Sequence, residues 1–458
     1  MEGKKIEIKS RDLIKPSSPT PHDKRELKLS LIDQLAPQIY TPFLLFYKNQ
    51  HHEEPSKITL HLKQSLSESL NKFYPLAGRL NPNHLCIDCD DSGALFVEAK
   101  VHGSLSETVK NAPYEHFGQY LPMEPYTNNN GSHCGAPLLA VQITWFGCGG
   151  SIIGICISHK IADFMSLLTF LVSWAAIKRD DSQKSPLVKV PNFEIGAHLF
   201  NPLEFPINLP LPAEEGKIVV KRFVFNKEKI TELKELAKTS SSSSSSPSVN
   251  NFTRVEVISA FLWKHFINVT RAKNHGATIM SRIWQPVNLR NRMSSLAATS
   301  PDDEFPFGNM ITYALASAVS DDSNHEKMGY GDLVHLVSDA MRKINNDYVY
   351  NSVIPFLKAL GTNGFPGLTQ QQSSNFRVAN WQLTSWSKFP TSELDFGWGE
   401  PISAGPAAGT RTRPAILLGS KSGEEEMEAW IGLLEDEFAL LPDELLSLAA
   451  TNLYDLNG

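Results

Sequence analysis

This chain predicts an α/β fold in two or three domains, on three observations. It has 458 residues, 41% of them hydrophobic, which is ample for more than one core. Segments of helical spacing alternate with short β-rich runs. A proline-rich stretch without periodicity, Phe200 to Gly216, reads as an extended crossover between domains.

The elements follow in order. From Lys57 to Tyr74 apolar residues recur at helical spacing (Ile58, Leu60, Leu62, Leu66, Leu70, Phe73), and Pro75 ends the helix. Tyr74 to Arg79 is a turn into strands, and strand-like runs cover Ala94 to Val101, Leu138 to Phe146 and Ile152 to Ile157. Phe164 to Ala176 reads as an apolar helix. A strand from Ile218 to Phe225 and a helix from Lys227 to Ala237 follow the crossover. The serine run Ser240 to Ser246 cannot bury apolar surface and is expected to be a disordered loop. Helices are expected at Glu256 to Asn268 and Gly331 to Asn345. Strands are expected at Ile279 to Leu289, Trp381 to Trp386, Ala415 to Leu418 and Met427 to Leu434. No 20–50-residue period repeats, which argues against a solenoid or propeller.

Composition narrows the function. Net charge is −6 with 20% charged residues and no basic block, so neither nucleic acid nor an anionic membrane is expected as a partner. The amino-terminal MEGKKIEIKSRDLIKP is charged throughout, unlike a signal peptide, and a cytosolic location is expected. The uncharged run Ala136 to Ser158 is broken by Phe146-Gly147-Cys148-Gly149-Gly150, a hairpin turn between buried strands, and reads as core. Five irregularly spaced cysteines suit a reducing compartment. Cys86 and Cys89 form a C-x-x-C, but no second ligand pair is evident, so no metal is expected. Three N-x-S/T sequons, at Asn130, Asn251 and Asn268, are expected to be unused.

The spacing His-x-x-x-Asp occurs three times, at His84–Asp88, His159–Asp163 and His335–Asp339. His84–Asp88 leads into the polar turn CDDSG, and His335–Asp339 lies on the expected solvated face of a helix. Only His159 has a β-rich run before it and a helix after it, in SIIGICISHKIADFMSLL. A histidine at a strand end can work as a general base, since its ordinary pKa of about 6.5 lies near the working pH. A buried structural histidine is the competing reading.

A second motif decides the family. Asp395-Phe396-Gly397-Trp398-Gly399 follows Trp386 in LTSWSKFPTSELDFGWGEP. With SHKIAD, FYPLAGR, VNLRNRM and the Gly308-Asn309 pair, the chain resembles the plant BAHD acyl-CoA-dependent acyltransferases along essentially its whole length. LIKPSSPTPHDKRELKLSLIDQLAP, SHKIAD and RFVFNKEKI are especially similar to the branch of alkaloid O-acetyltransferases.

The resemblance implies two chloramphenicol-acetyltransferase-like α/β domains with mixed β-sheets flanked by helices. Their expected extents are 1–200 with a returning segment of about 395–419, a crossover loop at 201–216, and 217–394 with 420–458. A channel at the interface would hold the catalytic histidine midway, acyl-CoA and the alcohol entering from opposite faces. His159 would be the general base and Asp163 would orient its loop, paired with Arg290. Trp386 and Asn309 are expected as oxyanion donors and Thr384 as a channel residue. Asp395 is expected to be essential yet structural, with Gly397, Trp398 and Gly399 supporting its turn. No bound cofactor is implied. The partners are acyl-CoA, acetyl-CoA first, and a small-molecule alcohol, and a monomer is expected.

Phe164, Ser392 and the serine run depart from the family pattern, which often has glycine and an aromatic at the first two. The expected reaction is O-acyl transfer to an apolar plant specialised metabolite, an alkaloid first and a terpenoid second. Benzoyl-, hydroxycinnamoyl- or malonyl-CoA are the alternative donors, and a catalytically idle scaffold protein is the alternative of another class.

Overall fold

The computed structural model describes residues 6–48, 54–126, 135–179, 187–206, 216–239, 251–275, 278–293, 304–320, 329–363, 377–387, 391–407, 413–419, 425–454 and 456. The serine run, Asn130 and most of the crossover loop (207–215) lie outside them.

Two sheet systems organise the chain. The first is a six-stranded mixed sheet in the order Ile6–Ile14, Ala94–Val101, Leu139–Phe146, Ser151–Ser158, Tyr40–Tyr47, Ser403–Pro406. Ser151–Ser158 lies inside it, every residue buried, between antiparallel neighbours on both sides. That environment explains its unbroken apolar run. The hairpin turn forms as expected: the Phe146 N–H donates to the Gly150 carbonyl at 2.9 Å, with Gly149 at a φ of +84°. Helices Pro55–Lys72 and Phe164–Lys178 pack together, tied by Trp174 Nε1 donating to Ser65 Oγ at 3.1 Å.

The second system has two parts. Ile218–Phe225, Met427–Leu434, Ala415–Gly419 and Thr384–Trp386 form a four-stranded sheet. Ile311–Ser320, Ile279–Asn288 and Arg377–Gln382 form a three-stranded one. The stretch expected as a single strand from Trp381 to Trp386 is therefore two, parted at Leu383, whose N–H donates to the Trp284 carbonyl at 2.9 Å. Helices Lys227–Thr239, Arg254–Lys273 and Tyr330–Lys343 supply this half's buried apolar faces.

Each system has its own core. The first gathers Phe43, Leu66, Ile155 and Trp174, the second Phe223, Trp263, Val334 and Leu433. A third, smaller cluster joins Leu31, Ile195, Leu289 and Met310. The first core also takes in Leu394, Phe396 and Trp398, and Ser403–Pro406 pairs with Tyr40–Tyr47. The pairing is shorter than the expected 395–419 segment: Ala415–Gly419 bonds to Met427–Leu434 and Thr384–Trp386 in the other sheet.

Candidate active site

His159 sits one residue past the end of Ser151–Ser158. Its peptide is held on both sides. The His159 N–H donates to the Ile39 carbonyl at 2.8 Å, and its carbonyl accepts from Asn309 Nδ2 at 2.7 Å. Ring atom Nδ1 is enclosed and lacks a hydrogen-bond partner among the described residues. Burial lowers the imidazole pKa below its ordinary value, partly offset by its own backbone, Asp163, Asn309 and Asp33. Burial thus favours the neutral ring, the form a proton acceptor needs.

Asp163 faces Arg290. It caps helix Phe164–Lys178 by accepting from the Ser166 N–H at 2.9 Å. Its carboxylate receives Arg290 Nη1 at 2.8 Å, Arg290 Nη2 at 3.1 Å and the Met310 N–H at 3.0 Å. Both partners are buried, 4% and 8% exposed. Burial alone would raise the Asp163 pKa, but the guanidinium and the donated bonds outweigh it and bring the pKa below the ordinary value. Arg290 also donates to the Pro306 and Gly308 carbonyls and to Ser166 Oγ. One guanidinium thus ties the helix start to the 306–310 loop.

Asn309 is the other link between that loop and His159. Its Nδ2 gives its hydrogens to the His159 carbonyl and, at 2.8 Å, to Asp33 Oδ1. Its N–H also donates to Asp33 Oδ1 at 2.8 Å. The amide expected to serve an oxyanion is engaged instead in holding the histidine's peptide. Gly308 precedes it at a φ of +127°, which an L side chain rarely adopts.

Asp33 escaped the sequence reading. It is buried in a capping box at the start of Leu31–Leu35, accepting from the Ser30 N–H and Oγ. Burial pushes its pKa up, opposed by the bonds from Ser30 and Asn309. The Ser-x-x-Asp spacing marks a helix start and nothing more, so it carried no hint of the contact with Asn309. Lys160 was also missed. It is buried, its Nζ donates to the Gln34 carbonyl at 2.7 Å, and burial brings its pKa down to about 8.

Trp386 lies in the other sheet, flat against Phe164, with centroids 3.9 Å apart. Thr384 is half-buried on the same strand. The DFGWG segment folds as a turn around one carboxylate oxygen: Asp395 Oδ1 accepts from the N–H groups of Gly397 (2.7 Å), Trp398 (3.0 Å) and Gly399 (2.8 Å). Gly397 and Gly399 have φ of +96° and +102°. Phe396 is fully buried against Trp174, and Trp398 packs on Tyr47 and under Lys178 Nζ. Ser392 is exposed.

The two remaining motif copies stand elsewhere. His84 meets Gln38 Nε2 through Nδ1 at 2.8 Å, and Asp88 is exposed. His335 packs edge-on against Phe252, and Asp339 is exposed. Cys86 and Cys89 are both buried.

Comparison with known proteins identifies the family. The Transferase family profile matches residues 4–445. Stemmadenine O-acetyltransferase of Catharanthus roseus is 38% identical over 453 residues, covering 98% of both chains. Vinorine synthase of Rauvolfia serpentina is 39% identical over 448 residues, covering 97% of both. The chain belongs to the BAHD transferase family. Its fold superposes on the crystal structure of vinorine synthase with a TM-score of 0.81, at 36% identity, covering 98% of this chain and 99% of that one. F. graminearum TRI101, solved with coenzyme A and T-2 mycotoxin, shares the fold at a TM-score of 0.73 and 15% identity. The α/β architecture and the assignment as an acyl-CoA-dependent O-acyltransferase follow. No helix among the described residues is long and apolar enough to cross a membrane.

Proposed function

We propose that this enzyme transfers an acetyl group from acetyl-CoA to a hydroxyl of an apolar specialised metabolite, an alkaloid foremost, with His159 as general base. The observation that carries it is the His159 environment: an imidazole just past a strand end, its peptide pinned at both polar atoms and its pKa lowered by burial.

The chemistry runs in one sequence. The His159 imidazole accepts the acceptor's hydroxyl proton as the acceptor's oxygen attacks the thioester carbonyl. The tetrahedral oxyanion collapses, the carbon–sulfur bond breaks, and the imidazolium protonates the departing thiolate. Trp386 Nε1 is the donor we assign to the oxyanion. Asp163 and Arg290 fix the loop, and Asn309, held by Asp33, fixes the histidine's peptide. Direct transfer is favoured because Cys156, the cysteine closest to His159 in sequence, is fully buried and its pKa is pushed up by that burial. Acetyl and alkaloid are chosen because two relatives of near-full length are a stemmadenine O-acetyltransferase and vinorine synthase. We also place the enzyme in the cytosol as a monomer.

The test is to incubate purified protein with acetyl-, benzoyl-, hydroxycinnamoyl- and malonyl-CoA and a library of plant alcohols. Free thiol and product mass are the readouts. Acetyl esters of alkaloid alcohols are expected, and no thiol release from any donor with any acceptor would refute the proposal.

A further inference from the structure

Phe164 is unused in the mechanism above, yet its placement is tightly determined. It opens helix Phe164–Lys178 directly after Asp163, whose carboxylate is fixed by Arg290, Ser166 and Met310. Its ring lies on the Trp386 indole with centroids 3.9 Å apart and planes within 6°. Phe43 meets both rings edge-on, at 5.6 Å from Phe164 and 5.8 Å from Trp386. Phe43 is fully buried on Tyr40–Tyr47, the strand paired to the one that ends at His159. The three rings therefore bridge the two sheet systems, and one face of Trp386 is covered from within the chain.

We propose that Phe164 is the acyl-specificity residue: its phenyl ring fills the flat slot on Trp386 that an aromatic acyl group would need, and so limits the donor to short acyl groups such as acetyl. The inference rests on the O-acyltransferase reading above, with His159 as base. Two rings cannot share one face of an indole at stacking distance. A benzoyl group would have to displace a side chain whose backbone is locked by the Asp163–Arg290 pair and whose edge is held by Phe43. Removing the ring leaves a phenyl-sized apolar space, and an apolar space of that size is one that benzene-like groups enter.

The experiment is kcat/KM for acetyl-CoA and benzoyl-CoA with one shared acceptor, in the full chain and in Phe164→Ala, Phe164→Val and Phe164→Tyr. The benzoyl-to-acetyl ratio is expected to rise about 10- to 200-fold in the Ala and Val variants, the range an apolar pocket wall commands. It should stay near the wild-type value in Phe164→Tyr, which keeps the ring. The ratio within one preparation does not depend on the active fraction, so partial loss of fold leaves the result readable. An unchanged ratio in both small variants overturns the proposal. So does a wild-type enzyme that already prefers benzoyl-CoA, or a change confined to the acceptor's KM. These outcomes leave O-acyl transfer standing, whereas a wild-type protein that releases thiol from no donor refutes that reading and this inference with it.

Discussion

His159 is aimed through its backbone. Ile39 and Asn309 take the two polar atoms of its peptide, while ring atom Nδ1 is enclosed without a partner among the described residues. Burial leads the lowering of its pKa, so the sign of the pH effect follows directly. In the proposed mechanism the working form is the neutral ring, and burial lowers its pKa from the ordinary value. The acid limb of kcat/KM should therefore have its midpoint below 6.5, lower than an ordinary histidine would give, and a plateau should hold at neutral pH. A pH–rate profile checks this, and a midpoint above 7 would contradict it. Asp163 acts on the same loop from the far side. Asp163→Asn leaves a buried guanidinium without its counter-charge, and stability should fall by about 3–5 kcal/mol. Denaturant unfolding measures it, and kcat should drop with it. An undiminished midpoint would mean that the Arg290 pair does not hold the loop.

At the scale of elements, what the sequence disclosed depended on how each element meets water. Helix Pro55–Lys72 buries one stripe, so its apolar period was readable. Ser151–Ser158 is buried on both faces and showed as an apolar run. Ile6–Ile14 was not readable, because it is an edge strand whose exposed residues are largely charged and polar. The 276-residue separation of Asp33 from Asn309 hid the second carboxylate, since only the folded chain brings them together. The DFGWG turn was readable as structure from its glycines and aromatics. One oxygen of Asp395 serves three N–H groups. Asp395→Asn weakens charge-assisted bonds of about 1.5–3 kcal/mol each at most, so a loss of about 1–3 kcal/mol is expected. A lower melting temperature should accompany the kinetic loss. A fully stable variant with no activity would instead make Asp395 part of the chemistry.

At the scale of the whole molecule, the Arg290 and Asn309 contacts carry elements of the second system onto the loop that bears His159. In the proposed mechanism His159 is the base and no cysteine among the described residues acts as nucleophile, so donor and acceptor are expected to be bound together. Two-substrate velocity lines should intersect, and denatured enzyme should retain no radiolabelled acyl group. Parallel lines with a trapped acyl-enzyme would indicate covalent catalysis.

The central claim is that His159 is the base, and the most direct measurement is turnover by His159→Ala. Loss of a general base should lower kcat by about 100- to 10,000-fold. Acyl-CoA binding and the melting temperature should stay near the wild-type values, and His84→Ala, whose ring contacts Gln38, should keep its activity. Near-normal acyl transfer by folded His159→Ala protein would contradict the account.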